Sequence, residues 1–173
     1  MPEHQNFNST KGISIIELLI VIVIIGVGIA ALLSFGTFTL RTALLHKQTL
    51  QASFLVKEAV ESLRNYRDNT GWDDDDPADQ YDGLGTVPTA VPLHLELSLD
   101  SPPRWQLLSG AETIGIFERK VILEPVERDL SDNIVEAGGV LDSQTKKATV
   151  RVLWTERNLA RQIETITYFT NWR

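Results

Sequence analysis

The chain opens on a segment with no polar period. From Leu18 to Leu40 no residue carries a formal charge, and Leu18-Leu-Ile-Val-Ile-Val-Ile-Ile25 is apolar on every side. As a helix that stretch spans ~35 Å, enough for a bilayer core of ~30 Å. A helix apolar all round belongs in lipid or inside a bundle. A secreted signal peptide would have a shorter apolar region and a small-residue cleavage site; here Ala30-Ala31 runs straight into Leu32-Leu33. From Arg41 the pattern turns amphipathic. Leu45, Ala52, Val56, Ala59, Leu63 and Tyr66 recur at helical steps, and Leu55 and Val60 widen the stripe. The opposite face carries Lys47, Gln51, Lys57, Glu58, Glu61, Arg64 and Asn65. The spacing predicts one helix from Ile13 to about Arg67, ~80 Å long, with Asp68-Asn-Thr-Gly71 as its stop signal. Gly26, Gly28 and Gly36 interrupt this helix, each weakening it by ~1 kcal/mol relative to Ala. They read as points of close helix packing in a membrane, or as places where the helix loosens.

Residues 68–92, rich in Gly, Pro and Asp, read as a long loop. Beyond it the period becomes two: Leu93, Leu95, Leu97 and Leu99 alternate with His94, Glu96 and Ser98, as in a half-buried strand. Pro102-Pro103 breaks the chain. A second strand is expected over Thr113–Val126, its alternation slipping near Phe117–Glu118 as a bulge would make it. Residues 129–145 read as another loop. Residues 148–155 and 161–170 form a hairpin that turns at Arg157-Asn158. One long helix followed by short strands gives an α+β fold, an antiparallel sheet packed on the C-terminal half of the helix.

Charge sharpens this division. The 173 residues hold 16 Lys+Arg and 23 Asp+Glu, a net charge of -7. Up to residue 40 the only charged residues are Glu3, Lys11 and Glu17. An acidic body argues against general nucleic-acid binding; the basic pairs Arg119-Lys120 and Lys146-Lys147 read as solvated strand ends. The chain has no cysteine, which excludes disulfides, thiol catalysis and thiolate metal sites.

Glu17 is the unusual residue, a carboxylate at the edge of an apolar run. It either marks the membrane–water interface or has a function that requires charge there. Its surroundings, Lys11-Gly12-Ile13-Ser14-Ile15-Ile16-Glu17-Leu18-Leu19-Ile20-Val21-Ile22, closely resemble the processing site of type IV prepilins and type II secretion pseudopilins. The resemblance covers about 30 residues. It implies that prepilin peptidase, a membrane aspartyl protease, cuts between Gly12 and Ile13 and N-methylates Ile13. It makes Glu17 the assembly glutamate. The family most often has Phe where Ile13 stands, and often a proline in the helix, whereas none occurs here between Pro2 and Pro77.

The implied organisation is a leader (1–12), a transmembrane and assembly helix (13–40), its amphipathic continuation (41–67) and a globular sheet domain (68–173). The implied partners are prepilin peptidase, other pilin or pseudopilin subunits, an inner-membrane assembly platform and the membrane itself, with no nucleic acid. The chain would cross the inner membrane once, its C-terminal domain outside the cytoplasm, and pass into a surface or periplasmic fibre. The closing hairpin with Tyr168-Phe-Thr-Asn-Trp172 is similar to minor pilins of the pilus-modification group. A minor pseudopilin of type II secretion is the alternative, and an uncleaved membrane-anchored binding module the alternative of another class.

No catalytic constellation, P-loop or G-x-S-x-G elbow is present, so the chain reads as a non-enzyme. His4, His46 and His94 have no second ligand at metal spacing. The acidic run Asp73, Asp74, Asp75, Asp76, Asp79 and Asp82 supplies the only calcium candidates. It matches no EF-hand spacing and reads first as a solvated loop without cofactor. Trp72 beside it is a core anchor or an exposed contact.

Overall fold

The computed structural model describes residues 12, 14–76 and 81–172. The chain divides into two compact units, Met1–Lys47 and Gln48–Arg173. Helix α1 runs from Ile15 to Asn69 without a break, through Gly26, Gly28 and Gly36. These glycines therefore do not interrupt it. Beyond the helix's own adjoining backbone, a Cβ added at any of them would meet no atom of the described residues within 4 Å.

In the second unit α1 buries Ala52, Val56, Ala59, Ser62, Leu63 and Tyr66, the stripe that the three- and four-residue spacing gives. Facing it are strands β1 (Pro92–Leu97), β2 (Trp105–Ser109), β3 (Glu112–Ile114), β4 (Phe117–Arg128), β5 (Ile134–Val135), β6 (Val140–Glu156) and β7 (Leu159–Thr170). They form one sheet in the order β2-β1-β4-β6-β7, with β3 and β5 each paired to β4. Every pairing is antiparallel. The α+β architecture expected from the sequence is the one observed.

The core is the helix-facing side of the sheet. Val121 stands opposite Val150, and Leu123 opposite Ala148; all four are at most 1 % exposed. Phe117 meets Trp154 edge-on at 5.7 Å between centroids, a favoured aromatic geometry. The 70–91 region adds Trp72, Tyr81, Leu84 and Val87 to this core. Trp72 is thus an anchor, and its indole N–H donates to Ser143 O at 3.1 Å. Gly83 lies against the backbone here. A Cβ on it would fall 2.1 Å from Gly71 O and 2.2 Å from Trp72 O, so a side chain is excluded.

Several sequence expectations need correction. The first strand ends at Leu97, not Leu99: Leu93 and Leu95 are buried, but Leu97 is 48 % exposed and Leu99 fully so. The slip near Phe117 is not a bulge but a tight turn between β3 and β4, made possible by Gly115 at φ 62°. The register shift lies at Pro125/Val126, where proline has no N–H to give the ladder. Residues 129–145 are not a single loop. They contain β5 and the first residues of β6, which pair with Glu127 and Arg128 at the end of β4. This part of β6 exposes Val140 and Leu141, so no apolar alternation betrays it. The Arg157-Asn158 turn is as expected. Both residues have positive φ, 46° and 66°, as a two-residue hairpin turn of the right twist requires.

Candidate functional site

The sequence points to the N-terminal end of α1. Ile13, Lys11 and His4 lie outside the described residues. Gly12 and Ser14 are exposed, and Ile15 begins the helix. The Leu18 N–H donates to Ser14 O at 3.1 Å, closing the first turn. Ser14 thus occupies the N-cap position and Glu17 the third helical position. Ser-x-x-Glu is the signature of a capping box. Glu17 also sits in the first turn, where the free N–H groups and the helix dipole favour negative charge. The sequence reading missed Ser14; its spacing to Glu17 was the available signal.

Beyond Glu17 the helix turns apolar side chains to every side. From Leu18 to Leu40 each large apolar side chain is at least 45 % exposed. An 18-residue window of α1 reaches a mean hydropathy of 3.1 with none of it buried. Burying one such side chain is worth ~1.5–3 kcal/mol, so covering the segment with lipid or with other helices is worth on the order of tens of kcal/mol. The hydroxyls in and just after this segment are satisfied within the helix. Ser34 Oγ donates to Ala30 O at 2.9 Å, Thr37 Oγ1 to Ser34 O at 2.9 Å, Thr39 Oγ1 to Phe35 O at 3.0 Å and Thr42 Oγ1 to Phe38 O at 3.1 Å. Polar side chains that bond their own backbone are compatible with hydrocarbon.

Asp73, Asp75, Asp76 and Asp82 are exposed and Asp74 is half-buried; Asp79 lies outside the described residues. Asp74 works through its backbone, its carbonyl accepting from Gly83 N–H at 2.7 Å and Thr86 Oγ1 at 2.8 Å. Asp82 accepts the Tyr66 hydroxyl at its carbonyl. Among the described residues no group of three or more His, Asp or Glu side chains is placed to hold a metal ion. His46 is exposed, and His94 is half-buried with Nδ1 3.4 Å from Gly110 O.

The reading of Arg119-Lys120 as solvated strand ends is wrong for Arg119. It is 5 % exposed and donates to Glu112 Oε2 through Nε at 3.0 Å and Nη2 at 2.6 Å. Its Nη1 donates to Leu55 O of α1 at 3.2 Å and lies 3.4 Å from Glu58 Oε1. Lys147 pairs with Glu124 at 2.8 Å, and that hydrogen bond holds its ammonium above the usual lysine range.

Residues 7–33 match the family model of the prokaryotic N-terminal methylation motif. This is the prepilin-type cleavage and methylation segment of type IV pilins and pseudopilins. No curated protein and no solved structure matches the chain.

Proposed function

We propose that the chain is a structural subunit of a type IV pilus or related pseudopilus, held in the inner membrane by α1 and drawn from there into a fibre. The observation that carries this reading is the methylation motif at residues 7–33, running into a helix segment, Leu18–Leu40, whose large apolar side chains are all exposed. Prepilin peptidase removes residues 1–12 and methylates Ile13. Glu17 then stands four residues from the new cationic amine, and a helix extended back to Ile13 in the processed chain would put both on one face. Each charge alone is costly in an apolar fibre; together, within one subunit or between neighbours, they offset that cost. Apolar packing supplies attraction without direction, and this pair supplies the axial register. The motif is a structural one and belongs to no known enzyme family. The resemblance of the closing hairpin to the pilus-modification group supports a minor subunit.

The test is the intact mass of the chain from membranes of a cell with prepilin peptidase. The expected species lacks residues 1–12 and carries one extra methyl group; an uncleaved mass refutes the reading. Gly12→Val is expected to leave the full-length precursor in the membrane. Glu17→Ala is expected to insert and be cleaved but to stay out of fibres; normal incorporation would refute the register argument.

A further inference from the structure

Among the described residues the sheet has two edges with no further strand, β2 and β7. Native proteins usually blunt a long edge with lysine, proline or a bulge. β7 has none of these: its 12 residues pair with β6 without a register shift, and no charge occurs from Thr165 to Trp172. Its open hydrogen-bonding groups can be assigned. Asn171 N–H donates to Gln144 O at 2.8 Å, and the tight turn closes on the Glu156–Leu159 pair. Residues of β7 with odd numbers therefore bond to β6. Gln162, Glu164 and Ile166 turn their N–H and C=O outward. On β2, Ser98 N–H donates to Arg104 O at 2.7 Å, and Gly110 N–H to Pro92 O at 2.8 Å. Residues of β2 with even numbers thus bond toward β1, leaving Trp105, Leu107 and Ser109 open.

These two edges fit each other. Four successive antiparallel pairings separate β2 from β7, so the two strands run in the same direction. A parallel ladder needs the open groups of one strand to face the flanking residues of the other. Setting Gln162 opposite Gln106 and Glu164 opposite Leu108 meets that condition. It also keeps side chains on matching faces: Ile163, partly buried on the helix side, falls beside Leu107, likewise partly buried there. β2 carries no charge, so Arg161 and Glu164 meet no like charge. We infer that β7 of one copy pairs in parallel with β2 of a second copy, extending the sheet from subunit to subunit. The alternative, two β7 edges pairing about a two-fold axis, runs the strands antiparallel. It sets the points where α1 enters the two domains at opposite ends. Parallel pairing keeps them at the same end, as two chains anchored in one bilayer require. The inference rests on the anchored-subunit reading for that last step only.

The chain has no cysteine, so introduced ones report alone. The experiment is oxidative cross-linking of the full chain in membranes. Gln106→Cys with Gln162→Cys in one chain is expected to give a ladder of dimers, trimers and higher species, at least tenfold above either single variant. Leu108→Cys with Glu164→Cys is expected to do the same, and Gln106→Cys with Ile166→Cys, out of register, is not. Glu164→Pro removes an outward N–H and no backbone bond to β6; it also removes the carboxylate that accepts from Arg151 Nε of β6 at 2.7 Å, a loss that Glu164→Ala shares without touching the N–H and so controls for. Added to the Gln106/Gln162 pair, Glu164→Pro is expected to abolish the ladder while tryptophan emission stays native, and Glu164→Ala to keep it. A dimer from Gln162→Cys alone, or equal yields from double and single variants, overturns the inference. Failure of processing at Gly12 would leave this readout intact, so the two readings fail separately.

Discussion

Replacing Arg119 tests what fastens the helix to the sheet. Arg119 is 5 % exposed, and its guanidinium joins β4 to Glu112 on β3 and to Leu55 O and Glu58 on α1. Removing one partner of a buried pair costs ~3–5 kcal/mol, because the other charge is stranded. Here the stranded groups are not deep: the Glu112 and Glu58 side chains are 32 % and 56 % exposed and rehydrate. Arg119→Ala is therefore expected at the low end, about 3 kcal/mol. Glu112→Gln leaves the guanidinium buried with its strongest acceptor weakened, and about 2 kcal/mol is expected. Glu58→Gln removes a surface charge and should cost below about 1 kcal/mol. The assay is urea unfolding of the full chain in mild detergent, followed by tryptophan emission, since Trp72 and Trp154 are buried. With a slope of about 2 kcal/mol per M, Arg119→Ala moves the midpoint down by about 1.5 M. An Arg119→Ala midpoint within about 0.2 M of wild type would refute the view that this contact clamps the helix. So would an equal loss from Glu58→Gln.

Three other perturbations bear on the same unfolding transition. Gly83→Ala forces a methyl against Gly71 O and Trp72 O; a loss of about 2 kcal/mol or more is expected. Gly36→Ala, which meets nothing within 4 Å, should leave the urea midpoint of the same emission change where it was. The Arg128 hydrogen bond holds the Asp142 carboxyl below the usual carboxylate range, and the Tyr81 hydroxyl does the same for Asp100. A depressed folded value stabilises above the unfolded pKa of ~3.9 and is lost as pH falls through the folded value. The midpoint should therefore be flat from about pH 7 to 5 and fall below about 4; Asp142→Asn should make that acid limb shallower.

Much of the architecture was legible because burial leaves a period. Ala52, Val56, Ala59, Leu63 and Tyr66 fit one stripe of a helix, and Leu93 and Leu95 one face of a strand, because each lies against the same core. Positive φ at Arg157 and Asn158 followed from the need to join two long strands in two residues. The losses occurred where the backbone does the work. The first residues of β6 are held by ladder bonds to β4 while Val140 and Leu141 face solvent, so no side-chain pattern marks them. Arg119 looked like a surface charge because sequence shows a residue's type but not its partners. Trp72 was ambiguous for the same reason: its anchor, Ser143 O, lies 71 residues away. At the N-terminal end the reverse holds. The methylation motif is a local pattern, which is why the dozen residues around Gly12 and Glu17 were enough to suggest it.

The contrast between the two parts of α1 bears on what this helix is for. From Ala52 to Tyr66 its apolar stripe is covered by the chain's own sheet, and the rest of its surface is mostly polar, Phe54 being the exposed exception. From Leu18 to Leu40 there is no stripe, only an apolar surface on all sides. A stripe specifies one partner in one orientation, whereas an all-round apolar surface accepts lipid at one time and neighbouring helices at another. Such a surface gains tens of kcal/mol on being covered, yet it barely distinguishes one axial offset from the next. A subunit that leaves a bilayer for an ordered fibre needs both properties: interchangeable surroundings and a fixed offset. Under the proposed function, one carboxylate at the start of the helix would meet the second need without spoiling the first, because it lies outside the uncharged run. A second charge placed within Leu18–Leu40 would add register but would cost ~2.5–3.5 kcal/mol in the bilayer before assembly begins.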